Sequence, residues 1–89
     1  MIKKGTLKNG FEYEIDDEIM DDMEMVEAVA EAQGENPLAV ATVIKMALGE
    51  DQKKRLYDYI RNDKGRVPVQ KAVESLTEMF EALGEDGKN

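Results

Sequence analysis

The sequence has no cysteine and no histidine. These absences remove disulfides, thiolate nucleophiles, Cys-based zinc sites, the usual general base and the commonest metal ligand. Cations are also scarce, with 12 Lys and Arg against 20 Asp and Glu, and a net charge of −8 suits phosphate backbones poorly. No apolar run approaches the roughly 20 residues of a membrane span. The N-terminal stretch lacks the apolar segment of a signal peptide. What remains is 42 % hydrophobic and 36 % charged over 89 residues. That is apolar enough for one small domain with a modest core, and too apolar for wholesale disorder. Composition therefore points to a soluble, intracellular, acidic domain with little equipment for chemistry.

Charge is blocked along the chain. Lys3, Lys4 and Lys8 open it, and residues 9–44 then carry eleven acids, from Glu12 to Glu35, with no Lys or Arg. Residues 45–73 hold eight bases against four acids, and 74–89 set Lys88 against five acids. Blocks of opposite sign favour contact between regions of one chain or between copies.

Hydrophobic periodicity predicts a mainly α (α+β) fold. An N-terminal β-hairpin is followed by about four helices packed around an apolar central helix, as a single small domain over 1–84 with a frayed tail over 85–89. The hairpin is expected over about 6–15. Asn9-Gly10 suits a two-residue type I′ turn, and Phe11, Tyr13 and Ile15 alternate with Glu12 and Glu14. A first helix over about 17–33 is stopped by Gly34, with Ile19, Met23, Val26 and Ala30 as its core stripe. Asn36-Pro37 opens a second helix, 37–48, which is apolar nearly all round and ends at Gly49. A third, 50–62, offers Glu50/Lys54 and Asp51/Arg55 pairs and an inner face of Leu56, Tyr59 and Ile60, with Tyr57 at the margin. A fourth, 68–83, carries Val69, Val73, Leu76, Phe80 and Leu83, widened by Ala72 and Met79.

Chemical motifs are few. The acidic run from Asp16 to Asp22 has no mid-loop glycine and sits on a predicted helix, so it reads as a solvated face and not as a calcium loop. Its carboxylates have no nucleophile or pocket near them in sequence, which points away from an enzyme and implies no cofactor. Glycines are isolated, so no phosphate-cradling loop is present. The third and fourth helices mimic a helix-turn-helix, but after Gln70 and Lys71 the second becomes acidic, which argues against nucleic acid as a partner.

The first helix has more apolar surface than one stripe requires. Met25, Val29 and Ala32 fall on a different side from Ile19, Met23, Val26 and Ala30. This second strip is either covered by the chain's own fold or a docking strip for a partner helix or another copy. Met20, Met25, Val29, Ala32 and Tyr57 are the candidate partner-binding residues.

Taken in order, several segments form a familiar series. Leu7-Lys8-Asn9-Gly10-Phe11-Glu12-Tyr13-Glu14-Ile15-Asp16 leads into Asp21-Asp22-Met23-Glu24. Asn36-Pro37-Leu38-Ala39, Ala47-Leu48-Gly49 and Gln52-Lys53-Lys54-Arg55-Leu56-Tyr57 follow, and Lys64-Gly65-Arg66-Val67-Pro68-Val69 precedes the last amphipathic helix. Over about residues 6–83 this arrangement resembles the small tail assembly chaperones of long-tailed bacteriophages and prophages of Gram-positive hosts. The resemblance implies a non-enzymatic factor that binds the tape measure protein, keeps that long helical chain in solution and helps recruit tail tube subunits. It implies action in the bacterial host cytoplasm and absence from the finished virion. In many such phages a programmed frameshift also makes an extended form, and Gly87-Lys88-Asn89 can be encoded by a slippery heptamer. A hairpin edge and opposite charge blocks would let copies line up as a homo-oligomer. The competing expectation is an acidic DNA-mimic or regulatory protein that binds a basic host protein, drawing on the acids of 9–44.

Overall fold

Alternation after Asn9-Gly10 becomes an antiparallel hairpin in the computed structural model, which describes residues 1–33 and 36–86. Strand β1 (Ile2–Thr6) pairs with β2 (Glu12–Asp16) in a register that sets Ile2 opposite Asp16 and Thr6 opposite Glu12. The hairpin thus begins at Ile2, well before the expected start near residue 6. Phe11, Tyr13 and Ile15 are buried while Glu12 and Glu14 face out. The connection is also longer than the two-residue turn expected. Gly10 N–H donates to Leu7 C=O at 2.9 Å and Leu7 N–H to Phe11 C=O at 2.8 Å, leaving Lys8, Asn9 and Gly10 as a three-residue loop. Its last residue takes the positive φ (97° at Gly10), the pattern of a turn closed by a glycine bulge. Asn9 Oδ1 accepts the Phe11 N–H that the bulge frees, at 3.0 Å.

The acidic segment is not one helix. A 3₁₀ turn, η1 (Asp17–Asp21), is followed by an extended Asp22 (φ −130°, ψ 116°) and then by helix α1 (Met23–Ala32). Asp16 caps η1 by accepting Glu18 N–H, and Asp22 caps α1 by accepting Glu24 N–H. Short carboxylates compete for backbone N–H groups, and two of them six residues apart start two elements where periodicity suggested one. The break resets the helical phase. Met25 turns inward at 2 % exposure, while Met23 (71 %), Val26 (50 %) and Ala30 lie outside. The expected core stripe is thereby corrected: its members on α1 are exposed, and the supposed second strip faces the fold. The expected stop at Gly34 lies outside the described residues.

Helix α2 (Pro37–Ile60) opens as expected, with Asn36 Oδ1 accepting Leu38 N–H at 3.0 Å and proline in the first turn. The span holds two helical stretches that meet at a kink at Gly49 (φ 82°, ψ 166°), where the boundary between the second and third helices was expected. Helix α3 covers Val69–Asp86, so among the described residues three continuous helical spans stand where about four helices were expected, the second span being kinked at Gly49. Of the expected tail, 85–86 belong to α3, and 87–89 lie outside the described residues.

Helix α2 touches α1, α3 and β2, and its buried Val40, Val43, Ile44, Ala47, Leu48, Leu56 and Ile60 form the middle of the core. Leu7, Phe11, Tyr13 and Ile15 close it from the hairpin, Met25 from α1, and Ala72, Leu76 and Met79 from α3. Each large side chain so buried contributes about 1.5–3 kcal/mol of transfer free energy. Ser75 shares this inner face, and its hydroxyl donates to Lys71 C=O at 2.8 Å. Two expected core residues lie elsewhere. Val69 is exposed at the start of α3, and Tyr59 (52 % exposed) lies edge-on to Phe11 with ring centroids 5.5 Å apart. Its hydroxyl donates to Asn9 C=O at 2.8 Å, so the hairpin loop claims it.

Candidate protein-binding groove

Helices α1 and α3 both pack on α2, with a gap between them over Val40. The gap is an open groove of about 420 Å³. Its floor is Val29 and Ala32 from α1, Val40 from α2, and Val73, Leu76 and Phe80 from α3, with Gln33, Gln70 and Thr77 at the rim. On α3, Ala72, Leu76 and Met79 are buried while Val73 and Phe80 are only partly so, and these two form one wall.

The two lips differ. On α1, helical spacing sets Val26 three residues from Val29 and seven from Gln33, with Ala30 and Met23 beyond it, so this lip is apolar. On α3, Glu74 and Glu81 lie four residues from Gln70 and Thr77, and a shallow depression that shares Gln70, Val73 and Thr77 with the groove adds Glu78 and Lys8. Glu78 accepts the Lys8 backbone N–H at 2.7 Å, and Glu74 accepts weakly from Gln70 at 3.4 Å. Among the described residues, none of these three acids has a Lys or Arg within ion-pair distance.

Of the five expected contact residues, the structure brings Val29 and Ala32 into this groove. Met25 is buried beneath them, Met20 is exposed on η1, and Tyr57 is half-buried on the second half of α2, where Lys53 Nζ lies 5.5 Å from its ring centroid. Burial raises the Tyr57 hydroxyl pKa above its ordinary value. Sequence reasoning missed Val40, Val73, Leu76 and Phe80 as groove residues by assigning the apolar face of α3 wholly to the core. The usable signal was the breadth of that face.

Elsewhere several polar groups are engaged within the fold. A depression of about 500 Å³ beside β2 is lined by Lys4, Thr6, Glu12, Glu14, Gln52 and Arg55 among others. There Arg55 donates to Glu12 C=O at 3.1 Å, and its guanidinium lies 5.3 Å from the Phe11 ring centroid. Arg61 donates to Asp58 at 2.9 Å and to Gly65 C=O at 2.8 Å. The expected Glu50/Lys54 and Asp51/Arg55 pairs are not formed. Glu50 instead meets Lys45 across the bend at 3.7 Å. Among the described residues there is no cluster of three or more acids placed to hold a metal ion, and no helix long and apolar enough to cross a membrane.

Comparison with protein-family models, with curated proteins and with solved structures found no match to this chain. Fold and site together define a mainly helical domain with an N-terminal hairpin and an open apolar groove.

Proposed function

We propose that this protein is a non-enzymatic tail assembly chaperone, which binds the tape measure protein of a long-tailed phage or prophage, keeps it in solution and helps recruit tail tube subunits. It acts in the bacterial host cytoplasm and is absent from the finished virion. The observation that carries this reading is the groove between α1 and α3, an apolar surface on an otherwise strongly charged molecule. A factor that shields greasy helices needs such a surface, flanked by charge that keeps the complex soluble. The exposed thioethers of Met20 on η1 and Met23 at the start of α1 add adaptable contact area.

Within this reading the client contact centres on Val29, Ala32, Val73 and Phe80, and Met25 supports them from below. The outer edge of β1, which no third strand among the described residues covers, is available for pairing between copies along a long client. The acidic-mimic alternative is less well served. Asp16 and Asp22 are used as helix caps, and the Met1 ammonium lies within 3.6 Å of Asp16, Asp17 and Glu18.

Co-expression with the tape measure protein tests the proposal. The wild-type chain is expected to co-purify with it and keep it soluble, and Val73→Asp to lose it while retaining helical circular dichroism. A chain that leaves every tape measure segment insoluble, or that binds only basic proteins with steep salt dependence, sinks the reading.

A further inference from the structure

Resting on the reading of the chain as a binder of helical clients, we infer that the groove takes one amphipathic helix whose apolar ridge is bordered on one side by Lys or Arg, which lies along α3.

The floor excludes an extended occupant. It is built from side chains of three helices whose backbone groups are engaged within those helices, so it has no free edge to pair with. A strand laid there would bury its own peptide groups unpaired, whereas a helix satisfies them internally. The wall from Gln70 to Phe80 is about 15 Å long at the helical rise, enough for roughly three turns and an i, i+3, i+4, i+7 ridge.

Charge sets which helix fits. The α3 lip offers Glu74 and Glu81, with Glu78 behind them, three acids against the single Lys8 of that depression, and among the described residues none has a Lys or Arg within ion-pair distance. The α1 lip offers Val26, Ala30 and Met23, which reward uncharged neighbours. A basic flank on the α3 side is attracted, while an acidic flank is repelled and also desolvated. Through its α1 face a second copy is a poor occupant, because Met23 and Val26 bring Glu27 with them; Leu38, Met46 and Val69 are further exposed apolar residues on its helices.

Two synthetic helical peptides with the same apolar ridge, one with Lys and one with Glu along a single flank, test this by calorimetry and methyl NMR. The wild-type chain is expected to bind the Lys peptide about tenfold more tightly, with shifts concentrated at Val29, Val40 and Val73. Glu74→Lys combined with Glu81→Lys changes two exposed sites and should reverse the preference. Equal binding of both peptides, a preference unchanged in the double variant, or shifts away from the groove overturns the inference. If neither peptide binds while the tape measure protein still co-purifies, the inference fails and the chaperone reading stands. Failure of both removes both. Concentration-dependent dimerisation abolished by Val26→Asp would assign the groove to a second copy and overturn the proposal.

Discussion

The side-chain amide of Gln52 pairs with the backbone of Glu14 as a neighbouring strand would. Oε1 accepts Glu14 N–H at 2.8 Å and Nε2 donates to Glu14 C=O at 2.8 Å. The same Nε2 donates to Leu48 C=O at 2.9 Å, beside the kink at Gly49. Gln52 thus caps the edge of β2 at Glu14, as Arg55 does at Glu12 C=O, and also bridges to the helix beside its kink. Gln52→Ala should lower stability by about 1–2 kcal/mol, since each such bond is worth about 0.5–1.5 kcal/mol net. Amide exchange should accelerate at Glu14 ahead of the rest of β2. Unchanged protection at Glu14 would show that the clasp is not formed in solution.

Met25 and Met23 are two residues apart on α1 and lie on opposite sides of the core boundary. Met25→Ala is expected to cost about 2–5 kcal/mol through a cavity beneath Val29. Met23→Ala should stay within about 0.5 kcal/mol. Urea unfolding of the two variants compares them directly, and the reverse order would restore the stripe that periodicity suggested.

Gly49 adopts a backbone conformation that side-chain-bearing residues rarely take, with φ 82° and ψ 166°, although an added Cβ there would meet nothing within 4 Å. Gly49→Ala should therefore cost about 1–3 kcal/mol from backbone strain alone. Gly5 is constrained differently. An added Cβ would collide with the Tyr13 ring that lies across it, so Gly5→Ala should displace that ring and change its near-ultraviolet dichroism. Thermal melts check both variants.

The Met1 ammonium donates to Asp17 and Asp16, which raises its pKa from 8.0 to about 10. The stabilisation from this contact is fully present below the ordinary value and is lost as pH rises through about 10. Asp16 is shifted the other way, first by the Glu18 N–H and then by the ammonium, so its contribution is present above its ordinary range and fades as pH falls through the lowered value. NMR titration should show Asp17→Asn returning the amine towards its ordinary value.

Much of the fold was legible because local rules and tertiary packing agree. Asn36-Pro37 starts α2 and Asn9-Gly10 marks the hairpin, since caps and turns are settled by neighbouring atoms. Legibility stopped where two local signals compete. Asp16 and Asp22 each recruit a backbone N–H, and the second restarts the helix, so a stripe drawn through Ile19 and Met23 crosses a break. Tyr59 was misplaced for a related reason: its ring serves the hairpin loop fifty residues away, and no periodicity within a helix reports that.

By itself, the order of residues determined the class of elements, the apolar middle helix and the absence of residues suited to thiol or imidazole chemistry. These follow from side-chain identity and from interactions a few positions long. Only the tertiary structure decided which face of α1 is inside and that α1 and α3 part above Val40 to leave a groove. Both depend on how far one central helix can cover two broad apolar faces at once, which is a matter of shape and not of spacing.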